Sequence, residues 1–133
     1  MNIRNHPFIK ITSDDIPRAA LPITIINPHT GQKVNSYGIV DTGADECAFP
    51  TGYAFLVGHN LKKGKCRKID TGNGETTAYS HTVSMQVYDT IFKNIPVDFL
   101  PNLSIPLLGV KNFLGNFVSL IDYPRQLFSI TER

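Results

Sequence analysis

The sequence has little of several residue types, and each shortage argues against a class of protein. It contains no tryptophan, two cysteines, and no apolar run near the roughly 20 residues that a membrane helix needs. Its first residues, 1–7, lack the apolar centre of a secretory signal. We therefore expect a cytoplasmic protein with no membrane partner, in which Cys47 and Cys66 are free thiols.

Charge is also nearly balanced, because 13 basic and 11 acidic side chains leave a net charge of +2. That excess is too small to indicate a nucleic-acid partner. The one basic cluster, residues 62–68, has no aromatic side chains interleaved with its lysines and arginine. A solvated loop is the favoured interpretation of this cluster, and contact with phosphate is the alternative.

Neither the histidines nor the cysteines form a pattern typical of a reactive site. His6, His29, His59 and His81 have no metal-ligand spacing, so we expect no metal and no cofactor. Cys47 lies just after an acidic turn, but no histidine shares a motif with it. A catalytic thiol needs a partner that lowers its pKa, so a structural role is favoured over a nucleophilic one.

Length and pattern indicate one all-β domain. A chain of 133 residues with 41% hydrophobic and 18% charged residues is typical of a single globular domain. Residues 1–20 are weakly patterned and are expected to form an N-terminal arm, with the domain at 21–133. Short apolar or alternating segments bounded by Pro, Gly and Asn predict the strands. These are expected at 21–27, 34–40, 81–88, 95–100, 118–121 and 127–130, with helical turns near 54–56 and 110–114.

The most informative segment is the run Ile39, Val40, Asp41, Thr42 and Gly43. An aspartate at the end of a buried strand is costly unless its charge is hydrogen-bonded or shared. The threonine supplies a hydroxyl, and the glycine allows the backbone to turn sharply beside the carboxylate. The segment therefore predicts one carboxylate presented at the mouth of a sheet.

Asp41-Thr42-Gly43-Ala44 resembles the active-site loop of the retropepsin-like aspartic proteases. The elements that follow resemble that family in their order as well. An Asn-Gly pair predicts a hairpin like the family's flap, with its tip at residues 72–74. The apolar-Gly turn would be residues 107–109, followed by the helix at 110–114.

The resemblance implies a retropepsin-like closed β-barrel with one short C-terminal helix, and the activity of an aspartic endopeptidase. Because the chain has the length of one lobe, it implies a homodimer in which Asp41 of each copy acts on a bridging water. Peptide or protein substrates would be bound with apolar side chains beside the bond that is cut. The implied catalytic residues are Asp41, Thr42 and Gly43, and the implied substrate-binding residues are Ala44, Asp45, Ala48, Gly72, Asn73, Gly74, Ile105 and Leu107.

A second Asp-Thr-Gly begins at Asp70 and raises the question of which aspartate works. Asp41 follows a buried-strand pattern, whereas Asp70 follows the polar lead-in Cys66-Arg67-Lys68-Ile69. Asp41 is therefore favoured as the catalytic residue, and Asp70 is interpreted as a residue of the flap.

The chain departs from the family after the apolar-Gly turn. Retroviral members carry an arginine there, which pairs with the acid that corresponds to Asp45. Val110 cannot make that pair, and Lys111 and Arg125 are the candidate replacements.

Two alternatives to a peptidase remain open from the sequence. One is a catalytically inactive retropepsin-fold module that binds or dimerises. The other is a phosphate-handling fold that uses an Asp-Thr-Gly loop, although the glycine-rich loop ending in Lys-Ser or Lys-Thr is absent.

Overall fold

A computed structural model describes residues 1–72 and 74–133, which form mainly β-structure. The one α-helix, α1, spans Gly52–Leu56, and short 3-10 helices span Leu61–Lys63 and Leu114–Asn116 within this described part. No helix in it is both long and apolar enough to cross a membrane. The strands are β1 (Ile3–Pro7), β2 (Ala20–Ile26), β3 (Lys33–Val40), β4 (Ala48–Pro50), β5 (Lys65–Thr71), β6 (Gly74–Val87), β7 (Thr90–Leu100), β8 (Leu107–Leu108), β9 (Val118–Asp122) and β10 (Leu127–Thr131).

Six strands close into a barrel. Their order is β2-β3-β8-β4-β7-β6, and β2 pairs with β6 as well as with β3, for example at Thr24 opposite Gln86. Strand β5 lies outside this ring and pairs only with β6 among the described strands. The predicted closed β-barrel is therefore confirmed, and it leaves the β5–β6 hairpin extending from its wall.

Strand β6 illustrates how the sequence pattern specifies the barrel. The predicted alternation places Val83, Met85 and Val87 on one face, and all three are fully buried. Ser84 is also buried, although its position in the alternation points it outward. The register between β6 and β7 shifts at this point, and the Ser84 hydroxyl accepts a hydrogen bond of 3.2 Å from the backbone N–H of Asn94.

A separate three-stranded sheet joins the two ends of the chain, in the order β1-β10-β9. The N-terminal residues, expected as an arm, thus include a strand that pairs with β10 over Phe128 and Ile130, both buried. The terminal amino group lies 2.7 Å from the Glu132 carboxylate. The sequence did not predict β1, because its residues are mostly polar and show no clear alternation.

One short C-terminal helical turn is present as predicted, but its predicted position at 110–114 is wrong. Residues 110–113 form turns, and only the 3-10 helix Leu114–Asn116 follows. Asn112 has a φ of 64°, a left-handed conformation that interrupts a right-handed helix. The N–H of Gly115 donates to the Val110 carbonyl at 2.7 Å, which closes a wider turn than an α-helix has.

Aromatic side chains hold this segment against the barrel. Phe113 is fully buried and makes edge contacts with Phe92 and Phe117, at centroid distances of 5.1 and 6.1 Å. Such pairs contribute about 0.5–1.5 kcal/mol each beyond their buried area. The segment between β8 and β9 is therefore fixed by packing rather than by helical hydrogen bonds.

Candidate active site

Asp41 lies where β3 leaves the barrel. Strand β3 runs parallel to β8, with Val40 opposite Leu108. The N–H of Val40 donates to the Ala19 carbonyl at 2.8 Å, and the N–H of Asp41 donates to the Leu108 carbonyl at 3.0 Å. The strand is thus bonded on both sides up to the residue that carries the carboxylate.

The turn after β3 is organised around the Asp41 carboxylate. The N–H of Gly43 donates to Asp41 Oδ1 at 2.9 Å, and the N–H of Ala44 donates to the Asp41 carbonyl at 3.3 Å. Asp41 is half-buried, whereas Thr42 and Gly43 are exposed. The backbone therefore supplies the donor that the sequence required of this turn, and the carboxylate remains accessible.

Gly109 packs closely against the backbone of the loop that follows Asp41. A Cβ atom at Gly109 would lie 2.3 Å from the carbonyl oxygen of Glu46 and 2.7 Å from that of Ala44. The next two N–H groups bind the same loop: Val110 donates to the Ala44 carbonyl at 2.9 Å, and Lys111 donates to the Asp45 carbonyl at 2.7 Å. Only a glycine allows the two loops to approach this closely.

Two cavities flank the turn. Asp41 lines a cavity of about 640 Å³ together with Ile16, Pro17 and Arg18 of the N-terminal segment. Leu107 lines this cavity and also a smaller one of about 230 Å³. The smaller cavity brings together five of the residues predicted to bind substrate or to shape the turn, namely Gly43, Ala44, Asp45, Ala48 and Leu107.

Comparison with solved structures assigns the chain to a known fold. A retropepsin-like aspartic protease from Rickettsia conorii is 28% identical, with a TM-score of 0.69 over 97% of this chain and 98% of that one. The retroviral protease-like domain of Ddi1 from Leishmania major is 14% identical, with a TM-score of 0.59 over 90% and 96%. EIAV protease in complex with the inhibitor HBY-793 is 17% identical, with a TM-score of 0.50 over 74% and 88%.

This chain has the retropepsin-like fold. The resemblance inferred from its motifs is confirmed by these structural relatives, which include aspartic proteases. No protein-family model and no curated protein matches the sequence. The likeness to known proteins is therefore one of three-dimensional structure.

The β5–β6 hairpin spans the residues at which a flap was expected. Its strands pair from Lys65 opposite Ser80 to Thr71 opposite Gly74, so the predicted hairpin is confirmed. Gly72 is exposed, and Gly74 has a φ of 97°, which favours glycine. Asn73, predicted at the tip, lies outside the described residues.

The hairpin also reaches the predicted binding region. Glu75 and Thr76 of β6 line a cavity of about 280 Å³ with Leu103 and Leu107. Leu107 therefore belongs to all three cavities near the turn. Ile105 is half-buried and lines none of these three, so the structure does not group it with the other predicted binding residues.

Three charged residues of the small cavity were missed by sequence reasoning. Asp98 on β7 is 4% exposed and forms an ion pair with Arg67 on β5. Glu46 has one carboxylate oxygen 3.5 Å from Lys111 Nζ, and its other oxygen is buried without a hydrogen-bond partner. A signal did exist for Asp98, since a lone acid in an apolar strand requires a partner.

The candidate replacements for the family's arginine bind other groups in the single chain. Lys111 pairs with Glu46, and Arg125 lies 3.7 Å from Asp122. Val110 is exposed. Lys111 contacts Asp45 only through a backbone hydrogen bond. Among the described residues, Asp45 forms no ion pair like that of the retroviral members.

Cys47 has the environment of a structural thiol. It is 1% exposed, and its Sγ accepts a hydrogen bond of 3.4 Å from the Gly109 N–H. Burial raises the pKa of the Cys47 thiol to about 11. The thiol is therefore protonated at neutral pH, which argues against a nucleophilic role.

Proposed function

We propose that the chain is an aspartic endopeptidase that cuts peptide bonds with Asp41 from each of two copies. One observation carries the proposal: in a chain with the retropepsin-like fold, the Asp41-Thr42-Gly43 turn directly follows strand β3 of the barrel, and the Gly43 amide donates to the Asp41 carboxylate. The turn leaves the Asp41 carboxylate accessible to a substrate, and such a turn is what the retropepsin-like resemblance led us to expect. A solved relative with the same fold is described as a retropepsin-like aspartic protease.

The second carboxylate comes from a second copy of the chain. The other Asp-Thr-Gly begins at Asp70, which lies in β5 opposite Glu75 of the hairpin. Asp70 therefore belongs to a different type of element from Asp41 and does not form a matching turn. A two-fold axis beside Asp41 brings two identical turns together at the cost of one interface.

The exposed edge of the terminal sheet supports such an interface. Strand β9 pairs only with β10 among the described strands, and its other edge is open. Val118 and Leu120 share one face of β9 and are 53% and 61% exposed. Apolar side chains on an open edge strand favour pairing with another chain.

The chemistry follows from placing two carboxyl groups together. Two close carboxylates cannot both ionise at low cost, so the pair holds one proton. The ionised Asp41 takes a proton from a water molecule, which attacks the peptide carbonyl carbon. The protonated Asp41 donates a hydrogen bond to the carbonyl oxygen and then transfers its proton to the nitrogen as the carbon–nitrogen bond breaks. The proton taken from water stays on the other Asp41, so the pair again holds one proton.

Substrate would bind as an extended strand beside the turn. Ala44, Ala48 and Leu107 form small and apolar walls that favour apolar side chains near the cut bond. Gly43 leaves its backbone exposed to the substrate, and the hairpin carrying Gly72 would close over it and exclude water.

The test is cleavage of a diverse peptide mixture, with new termini identified by mass spectrometry from acidic to neutral pH. Wild type is compared with Asp41→Asn and with Asp89→Asn, an exposed aspartate in the turn after β6. Asp41→Asn should reduce cleavage about a thousandfold or more, because the ionised base is lost. Asp89→Asn should cleave as wild type does.

Asp70→Asn decides between the two Asp-Thr-Gly motifs and should retain far more activity than Asp41→Asn. Loss of cleavage in Asp70→Asn alone would contradict the assignment to Asp41. No cleavage by a wild-type sample that is dimeric at the assay concentration would favour the inactive binding module instead.

A further inference from the structure

A concave region separate from the Asp41 cavities lies at the root of the β5–β6 hairpin. It has a volume of about 580 Å³. Its walls are the turn after β2, the segment 58–65, and residues 80–82 of β6. It shares no lining residue with the cavities around Asp41. We call it the root cleft.

The root cleft is lined by lysine and histidine side chains and by no acidic side chain. Lys63, Lys65, His29, His59 and His81 all line it, and none of its lining residues is Asp or Glu. Within residues 1–72 and 74–133, neither Lys63 nor Lys65 takes part in an ion pair. No acidic side chain of the wall therefore offsets the positive charge of these two lysines.

The two central histidines are fixed by backbone carbonyls. His59 Nε2 lies 3.0 Å from the Thr82 carbonyl oxygen, and His81 Nε2 lies 2.8 Å from the Leu61 carbonyl oxygen. Because a carbonyl oxygen only accepts, each Nε2 carries the hydrogen. The Nδ1 atoms are left as acceptors in the neutral rings and become donors when the rings are protonated.

These histidines also repel each other when charged. Their ring centroids are 4.7 Å apart. The pKa of His59 is lowered by burial, and the nearby His81 and His29 lower it further. An anion in the cleft would offset that repulsion, so its binding would favour the protonated form of His59.

The wall chemistry distinguishes between classes of ligand. Among the described residues no cluster of His, Cys, Asp and Glu could hold a metal ion. The cleft has no Phe, Tyr or Trp in its wall on which a nucleic-acid base could stack. Asn60 and Ser80 add an amide and a hydroxyl group that can donate to oxygen atoms.

We propose that the root cleft is a binding site for a small tetrahedral oxyanion of the phosphate class, held by Lys63 and Lys65 with His29, His59 and His81. The anion would join the segment before β5 to β6 and to the turn after β2. This site is independent of the proposed peptidase activity, and its test does not use cleavage.

The experiment is a titration of the whole chain with inorganic phosphate and, separately, inorganic sulfate, at constant ionic strength set with sodium chloride. Binding is followed through the ring signals of the histidines by NMR. Both anions should shift the signals of His59 and His81 saturably. Sulfate stays a dianion, so its affinity should rise as pH falls, because a bound anion favours the protonated form of His59 over the neutral form.

The variant Lys63→Gln/Lys65→Gln should weaken binding about tenfold or more, because charge-assisted contacts are lost. Its matched control is Lys10→Gln/Lys93→Gln, which removes two exposed lysines outside the cleft and should bind as wild type does. Equal binding by both double variants would overturn the site. Absence of saturable shifts with either anion, or binding only of a single-stranded oligonucleotide at these lysines, would overturn it as well.

Discussion

At the residue scale, two aspartates show two ways of holding a carboxylate in this fold. Asp41 is half-buried and is bonded by the backbone amide of Gly43, which leaves it open to the neighbouring cavity. Asp98 is almost fully buried and is matched by a single side chain, Arg67. The first arrangement suits a reactive group, and the second joins two strands of the wall.

The Arg67–Asp98 pair leads to a stability prediction. Arg67→Met would leave the Asp98 carboxylate buried without its partner and should lower the free energy of unfolding by about 2 kcal/mol or more. The control is Lys68→Met, because Lys68 pairs with Glu75 only at the surface and should contribute under about 1 kcal/mol. Urea denaturation measures both, and equal losses in the two variants would contradict the role of Asp98.

At the element scale, the site depends on two loops that meet without space between them. The turn after β3 and the turn after β8 are joined by hydrogen bonds from Val110 and Lys111, and Gly109 is the point of closest approach. The reactive turn is therefore positioned by a segment distant in the sequence.

Substitution of Gly109 tests this joint. Gly109→Ala would push a methyl group against the carbonyls of Ala44 and Glu46 and should destabilise the fold by about 1–3 kcal/mol. Gly52→Ala is the matched control, because no atom lies within 4 Å of its added Cβ and the residue is helical. Thermal unfolding of both variants checks this, and an unchanged midpoint for Gly109→Ala would show that the loops are not tightly joined.

The elements differ in how far the sequence predicted them. Four of the six barrel strands, β2, β3, β6 and β7, overlap strands predicted from apolar patterns, and the hairpin followed from its Gly and Asn residues. Strands β4 and β8 were not predicted, because segments of three and two residues are too short to show a periodic pattern. The helix at 110–114 was misplaced because the left-handed Asn112 breaks it, and no residue pattern announces that conformation reliably. Arg67 and Asp98 are 31 residues apart, so only the folded barrel brings them together.

At the scale of the whole molecule, the two ends of the chain form one sheet. Strand β1 pairs with β10, and β9 remains an open edge with Val118 and Leu120 exposed. The proposed active site needs a second copy, and this edge offers an apolar contact for it. The sequence indicated the need for a partner through its single Asp41 turn, but the exposed edge became visible only in the fold.

A charged substitution on β9 tests whether its open edge forms the dimer interface. Leu120→Glu should weaken the dimer and lower cleavage at low protein concentration, with recovery at high concentration as copies reassociate. Leu56→Glu is the matched control, because Leu56 is 57% exposed on α1 and lies outside the terminal sheet. Sedimentation and cleavage rate measured over a concentration series check this. A Leu120→Glu protein that stays dimeric throughout would place the interface elsewhere.

The most direct test of the central claim is to mix copies with and without the catalytic carboxylate. Wild type and Asp41→Asn are unfolded together in equal amounts, refolded, and assayed at fixed total protein. If each site needs Asp41 from two copies that pair at random, cleavage should fall to about one quarter of the wild-type rate. A rate of about one half would mean that each chain cuts alone and would contradict the two-copy site.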